Sequence, residues 1–306
     1  MSTVETHLNK TWATRAISWE YGAAASPDLV DVPIEPFPAS LHEIDETSII
    51  PLDLSRVIGT PWQATTPSLL AHFIAIKSAE SIQLAEKTSS EVFFVMRGAG
   101  RLVTDQGTLE WKQGDVFTLP RHDSVVLEAD ENSALYWVHD GPLLRYLGSE
   151  PQQKRFEPAY YSREYLQTEV DRIRQTGIDE QRNRNGIILG NPASSDTKTL
   201  THCMWSLFNV LPARSVQKPH RHNSVAVDLA VSAAPGTYTM IGKEIDAKGN
   251  IINPVRADWN PNSVFVTPPG WWHSHHNESD EDAYVFPVQD AGLQTFLRTL
   301  DIQFVS

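Results

Sequence analysis

Five of the eleven histidines in this chain fall in two short groups. One is His220-Arg221-His222, inside KPHRHNSVAVDLAV; the other is His273-Ser274-His275-His276, inside VFVTPPGWWHSHHNES. Side chains two apart on a strand share a face. His220 and His222 therefore present two imidazoles to one point. His273 and His275 share a second face, and His276 points the opposite way. Neutral imidazole is the commonest side-chain metal ligand. A strand pair joined by a third histidine from a neighbouring strand makes a facial three-nitrogen site, with positions left open for a substrate and a second small molecule. A single HxH pair is more often plain surface. Here two tryptophans and a Pro-Pro-Gly turn directly precede His273, and aromatic walls beside clustered histidines mark a cavity. The expected ligands are His220, His222 and His273. The remaining histidines, His7, His42, His72, His122, His139 and His202, are scattered singly and read as surface or hydrogen-bonded core residues.

The elements that must position these groups are mostly strands. Twenty prolines and sixteen glycines favour turns and short strands over long helices. Residues 61–150 carry short apolar or alternating runs (SLLAHFIAIKSA, SEVFFVMRGAGRLVTDQG, TLEWKQGDVFTLP, SALYWVHDGPLLRYLG) punctuated by turn residues. Residues 151–197 differ: SREYLQTEVDRIRQTG opens on a Ser N-cap, closes on Gly177 and carries a helical stripe of Tyr165, Val170 and Ile173. Over 198–306 the strand pattern returns. Residues 1–60 form a proline-rich arm, which either straps its own chain or crosses to a partner subunit. The expectation is an all-β dominated fold, a diverged tandem repeat of one barrel or sandwich module with a helix-containing linker and an irregular N-terminal arm.

Composition narrows the function. A net charge of −13 and the lack of a Lys/Arg run argue against nucleic acid as a partner. No apolar stretch reaches the length of a membrane helix, and the first residues lack the apolar core of a secretory signal, so a cytoplasmic protein is expected. Cys203 is the single cysteine. It cannot form an intrachain disulfide, and its apolar sequence neighbours mark it as a buried structural residue.

The order HxH, strand, turn and P-x-G-x-x-H-x-x-x-N resembles the two signature motifs of the cupin superfamily. The second motif is carried by Pro268, Gly270, His273 and Asn277; the first by His220 and His222, with Ala226 where most cupins place a glutamate ligand. Three histidines without that glutamate resemble the gentisate 1,2-dioxygenase group of bicupins, which includes salicylate ring-cleaving enzymes. The resemblance implies two tandem cupin (double-stranded β-helix, jelly-roll) barrels. It implies Fe(II), although the ligands alone would equally take Mn, Ni, Zn or Cu. In the N-terminal copy Glu91, Gly98, Gly114 and Pro120 fit the motif spacing, but the histidine positions hold Ala85, Lys87 and Val125. That barrel is expected to bind no metal, which would set this chain in a divergent branch with its site in the C-terminal cupin.

The implied activity is a non-heme Fe(II) dioxygenase that uses dioxygen to cleave a C–C bond of a small hydroxylated aromatic or enolisable carbonyl compound. His275 would be the acid/base beside the metal. The group's carboxylate-binding arginine is replaced by Asp228, whose parity with His220 and His222 points it inward; a carboxyl there would accept from an amine or hydroxyl. Arg256 would supply the missing cation if its loop closes over the barrel mouth, and is otherwise a solvated loop residue. Trp271, inward with His273, would stack on the substrate or cap the core, with Trp272 outward. A homodimer or homotetramer is expected. The alternatives are a Lewis-acid lyase, decarboxylase or isomerase, or a non-catalytic small-molecule-binding cupin.

Overall fold

The computed structural model describes residues 11–25, 27–105, 107–176 and 185–305, so the expected helix stop at Gly177 and His7 lie outside the described residues. The chain divides into two compact units, Met1–Val30 and Asp31–Ser306. The described part of the first unit holds a helical turn at 11–13 and a 3-10 turn at Tyr21–Ala25.

Everything that bears on the histidines belongs to the second unit. Among its described residues the strands form four antiparallel sheets, paired into two barrels. In the first barrel a six-stranded sheet centred on Leu70–Ile76, Ser90–Arg97 and Ser133–His139 faces a four-stranded sheet that includes Ala99–Thr104 and Val125–Ala129. In the second, a six-stranded sheet centred on Trp205–Leu211, Ala226–Ser232, Ser263–Thr267 and Ala283–Gln289 faces a five-stranded sheet. That second sheet is built from Ser215–His222, Thr237–Gly242, Val255–Asp258, Trp272–Asn277 and Ile302–Phe304. The fold is thus a tandem cupin, as the motifs lead one to expect.

The two six-stranded sheets pack back to back, which explains why their strands read as continuous apolar runs. In SEVFFVMR, Val92, Phe94 and Met96 join the core between the barrels while Phe93 and Val95 fill the first barrel. In AVDLAVS, Val227 and Leu229 face the same inter-barrel core and Ala230 faces the second barrel's interior. Strands buried on both faces lose the in–out alternation of an exposed sheet. Phe94 and Phe286 meet across the seam with ring centroids 5.1 Å apart.

The segments flanking the barrels are stitched into the same sheets. Pro36–Phe37 pairs with Ser263–Thr267 of the second barrel, and Ser48–Pro51 with Leu70–Ile76 of the first. Residues 31–60, read from sequence as irregular, are therefore a strap across their own chain. The helix Arg163–Gln175 begins as expected, with Ser162 Oγ accepting from Tyr165 N at 3.1 Å. It buries Leu166 and Val170, packs Ile173 partly against the core and leaves Tyr165 exposed. Its contact stripe thus runs through Leu166, not Tyr165. No helix among the described residues is long and apolar enough to cross a membrane.

The inter-barrel seam carries a fully buried tyrosine hydroxyl. Tyr136 donates to the Val227 carbonyl at 3.1 Å, joining the first barrel to the strand that carries Asp228. Tyr136→Phe should lower unfolding free energy by about 1 kcal/mol, because it removes a buried hydrogen bond while the Val227 carbonyl keeps its place between two paired strands. Denaturant titration measures this, and an unchanged midpoint would show that the seam does not depend on this bond.

Candidate metal centre

The site starts from a defect in strand pairing. Ser215–His222 and Trp272–Asn277 run antiparallel with Gln217 opposite His275, but the register then shifts so that His220 lies opposite His273. Three residues on one strand are matched by two on the other, which is a β-bulge at Lys218-Pro219. Proline has no N–H to give to the ladder and is tolerated at a bulge. Continued regularly, the register would place Pro219 opposite His273. The extra residue instead puts His220 and His222 on the face that carries His273 and His275.

The turn before the second motif locks to the first. Gly270, at φ +78, donates its N–H to the His222 carbonyl at 2.7 Å. That left-handed conformation is what glycine supplies at this place. Asn277 ends the strand: its Nδ2 donates to the carbonyls of Leu211 and Glu281, and its Oδ1 accepts from the Ser279 backbone and hydroxyl.

His220, His222 and His273 are all buried, and one ring nitrogen from each lies within 4.8 Å of the others. Each Nδ1 faces a backbone carbonyl: His220 to His273 O at 3.2 Å, His222 to Ser224 O at 2.8 Å and His273 to Trp271 O at 3.1 Å. A carbonyl only accepts, so each Nδ1 carries the proton and each Nε2 the lone pair. This is the tautomer that a metal ligand needs, set three times over by main-chain atoms. Ser224 adds a second contact to His222 Nδ1 and passes its own proton to Gln289 Oε1 at 3.0 Å. The donor set fits a divalent ion bound by three neutral nitrogens.

His275 is buried on the same face, its ring 5.7 Å from His273 and 6.0 Å from His220. Trp259 Nε1, which can only donate, lies 2.8 Å from Thr239 Oγ1, and Thr239 Oγ1 lies 2.8 Å from His275 Nδ1. Thr239 is fully buried, so its proton needs an acceptor, and His275 Nδ1 provides it. His275 is therefore held as the Nε2–H tautomer, a donor, opposite in sense to the three others.

Asp228 lies opposite Phe265, on the face of its strand that lines the second barrel, and accepts from Thr267 Oγ1 at 2.6 Å. Burial pushes its carboxyl up from 3.8 to about 7, against the lowering effect of the Thr267 hydrogen bond. Trp271 packs half-buried against the apolar interior of the second barrel, with Lys243 Nζ 5.1 Å from its ring centre, and Trp272 carries the Arg221 guanidinium at 5.5 Å. Arg256 is not brought to the site. It lies on the outer face of the sheet, stacked 3.7 Å over Tyr238, which in turn stacks on His276, and it pairs with the Asp258 carboxylate at 2.7 Å. Its strand parity, shared with outward-facing His276, turns it away from the interior.

In the first barrel, Ala85 and Lys87 are exposed and Val125 is part of the apolar interior. Buried Glu91 accepts from Trp137 Nε1 at 3.1 Å, lies 3.0 Å from His122 Nε2 and also accepts from Thr88 Oγ1 at 2.5 Å. Among the described residues no group of three ligand atoms converges there.

Sequence reasoning missed Ser224, Gln289, Thr239, Trp259 and Phe304. Phe304, on the terminal strand, stacks on His220 at 5.9 Å. Only the alternation Thr237-Thr239-Ile241 opposite the second motif hints that Thr239 faces His275.

Comparison with known proteins agrees with this architecture. Residues 88–232 match the AraC-like ligand binding domain family. A curated relative, 5-aminosalicylate 1,2-dioxygenase from Comamonas sp., is 32% identical over 97 residues, which cover 31% of this chain and 25% of that relative. The matched stretch is thus about a quarter of that enzyme's length. Salicylate 1,2-dioxygenase from Pseudoaminobacter salicylatoxidans with gentisate superposes at TM-score 0.74, with 12% identity, over 99% of this chain and 94% of that one. A cupin 2 conserved barrel domain protein from Leptotrichia buccalis superposes at 0.50, with 9% identity, over 86% and 97%. In fold the chain is a bicupin like the salicylate-cleaving enzyme.

Asp228 yields a pH test on the metal-stripped protein. The fold holds its proton between pH 3.8 and about 7, where the unfolded chain has released it. Stability attributable to this group is complete below that window and is lost as pH rises through it. A rise of this size corresponds to on the order of 4 kcal/mol at most. Asp228→Asn should therefore gain stability over the wild type as pH goes from about 4 to about 8. Parallel stability curves for the two proteins would show that the carboxyl ionises freely.

Proposed function

We propose that this chain is a metal-dependent ring-cleaving dioxygenase of the gentisate and salicylate type, with iron(II) held by His220, His222 and His273 in the second barrel. One observation carries the reading: three buried imidazoles converge, each held by a backbone carbonyl in the tautomer that leaves its lone pair on Nε2. The chemistry iron(II) supplies when bound is electron transfer from a chelating hydroxyaromatic to dioxygen, so that both oxygen atoms enter the ring C–C bond that breaks.

The protein's own residues do the rest. Three neutral donors leave the ion its full double charge, which favours an anionic oxygen chelate over a neutral ligand. His275 offers its Nε2–H beside the triad as a hydrogen-bond donor to substrate or dioxygen, and Thr239 and Trp259 hold it in that state. Asp228 replaces a cation expected at the substrate carboxylate, and its carboxyl accepts from a ring amine or hydroxyl. The substrate class that suits it is an amino- or hydroxy-substituted salicylate, in line with the activity named for the Comamonas relative. Trp271 forms the apolar wall. Assembly as a homodimer or homotetramer is part of the same proposal.

Oxygen uptake tests it. With 5-aminosalicylate or a related hydroxyacid, the iron-loaded protein should consume about one dioxygen per ring opened and show no turnover under anaerobic conditions. His275→Ala should keep its iron and lose about 100-fold or more in kcat. Asp228→Ala should shift the kcat/KM ratio of 5-aminosalicylate to salicylate by about tenfold toward salicylate. Turnover without oxygen consumption would instead assign the site to Lewis-acid chemistry.

A further inference from the structure

A second convergence of ligand atoms lies away from the histidine triad. Asp140 follows the first-barrel strand Ser133–His139 and opens the helix Gly141–Leu147. His202 and Cys203 lie in the loop that leads into the second-barrel strand Trp205–Leu211. One ligand atom from each of the three lies within 4.8 Å of the others. Asp140 and Cys203 are buried, at 2% and 6% exposure. We propose that Asp140, His202 and Cys203 form a structural site for a borderline-soft divalent cation, zinc by preference, which pins the second barrel's entry loop to the rim of the first.

The hydrogen bonds fix which atoms are available. Asp140 Oδ1 accepts from the Ser89 and Ser90 backbone N–H groups at 2.9 and 3.2 Å. Ser89 Oγ gives its one proton to Asp140 Oδ2 and lies 3.0 Å from His202 Nε2. With that proton spent, Ser89 can only accept from His202, so Nε2 carries the ring hydrogen and Nδ1 the lone pair. The lone pair meets Ser90 Oγ at the long distance of 3.4 Å. The thiol reaches Asp140 Oδ2 at 3.5 Å and Thr201 Oγ1 at 3.8 Å. A carboxylate, an imidazole lone pair and a sulfur thus converge through long contacts, while the frame behind them is bonded at short ones.

Carboxylate, imidazole and thiolate together suit zinc or its substitutes cobalt and cadmium, and Ser90 Oγ is at hand as a fourth oxygen. Burial and the neighbouring Asp140 carboxylate both push the Cys203 thiol up, and burial pushes His202 down. A bound cation would take the Nδ1 lone pair of His202, and its coordination would release the thiol proton to solvent. The site would close the chain between Asp140 and His202 into a loop that contains the helix Arg163–Gln175. In sequence His202 and Cys203 stand next to each other, but Asp140 is remote, so neither composition nor spacing announces the group.

Because Cys203 is the only cysteine, any thiolate–metal absorption reports this site alone. Cobalt(II) titrated into the metal-stripped full-length protein should produce thiolate-to-cobalt charge-transfer absorption in the near ultraviolet, saturating at about one ion per chain. The band should persist in His222→Ala, which disables the triad, and vanish in Cys203→Ser. His202→Ala and Asp140→Asn should each weaken cobalt binding at this band by about tenfold or more. Zinc should raise the melting temperature of His222→Ala but not of the His222→Ala/Cys203→Ser double variant. A wild-type protein that saturates with cobalt and shows no thiolate band overturns the proposal whatever the variants do. A band of unchanged affinity in both His202→Ala and Asp140→Asn also overturns it, since the thiol would then be acting alone.

Discussion

One extra residue in one strand decides whether this barrel has a site. At Lys218-Pro219 the strand that carries the first motif bulges against the strand that carries the second. A one-residue slip turns a whole strand segment over. Ahead of the bulge Gln217 shares its face with His275; beyond it His220 and His222 share theirs with His273. The bulge therefore reconciles two stretches that a regular ladder would set on opposite faces. Once the imidazoles face inward, main-chain carbonyls complete the job by fixing each Nδ1–H. Backbone atoms cannot rotate away, so the ligand field is preorganised by the fold itself.

The two barrels use the same architecture for different ends. The interior of the first is filled by large apolar side chains, with Phe93 stacked on Phe117 at 4.6 Å and on Trp137 at 5.8 Å. Its motif glutamate, Glu91, is occupied by neighbouring donors and performs no visible task beyond satisfying them. The second barrel has a smaller apolar cluster and keeps its interior for the histidines, Thr239, Asp228 and Gln289. Packing the six-stranded sheets back to back lets the filled barrel brace the polar one. Polar groups in a barrel interior are costly unless each is satisfied. Here the hydroxyls of Ser224, Thr239 and Thr267 provide that satisfaction.

What was legible in the sequence was whatever depends on local spacing. The HxH pair, the Pro-Pro-Gly turn and the opposed parity of His275 and His276 follow from a strand's two-residue period, and the structure has all of them. Asp228 was legible for the same reason. What was not legible depends on register between distant strands. Parity within Val255–Asp258 says nothing about which face of the sheet meets the interior, and Arg256 falls on the outer one. Thr239 and Trp259 become partners of His275 only through three-strand pairing. Cys203, whose sequence neighbours are apolar, lies against Asp140 because a loop of one barrel meets the rim of the other. The choice between a strap on its own chain and a crossing to a partner stayed open for 31–60, because short edge strands such as Pro36–Phe37 carry too few residues to show a period.

The central claim is that the three carbonyl-oriented histidines hold the catalytic metal. The most direct measurement is iron content after anaerobic reconstitution, wild type beside His222→Ala, with folding checked by circular dichroism. The account predicts about one iron per chain in the wild type and almost none in a folded variant. Equal iron in both proteins, or none in either, would contradict it.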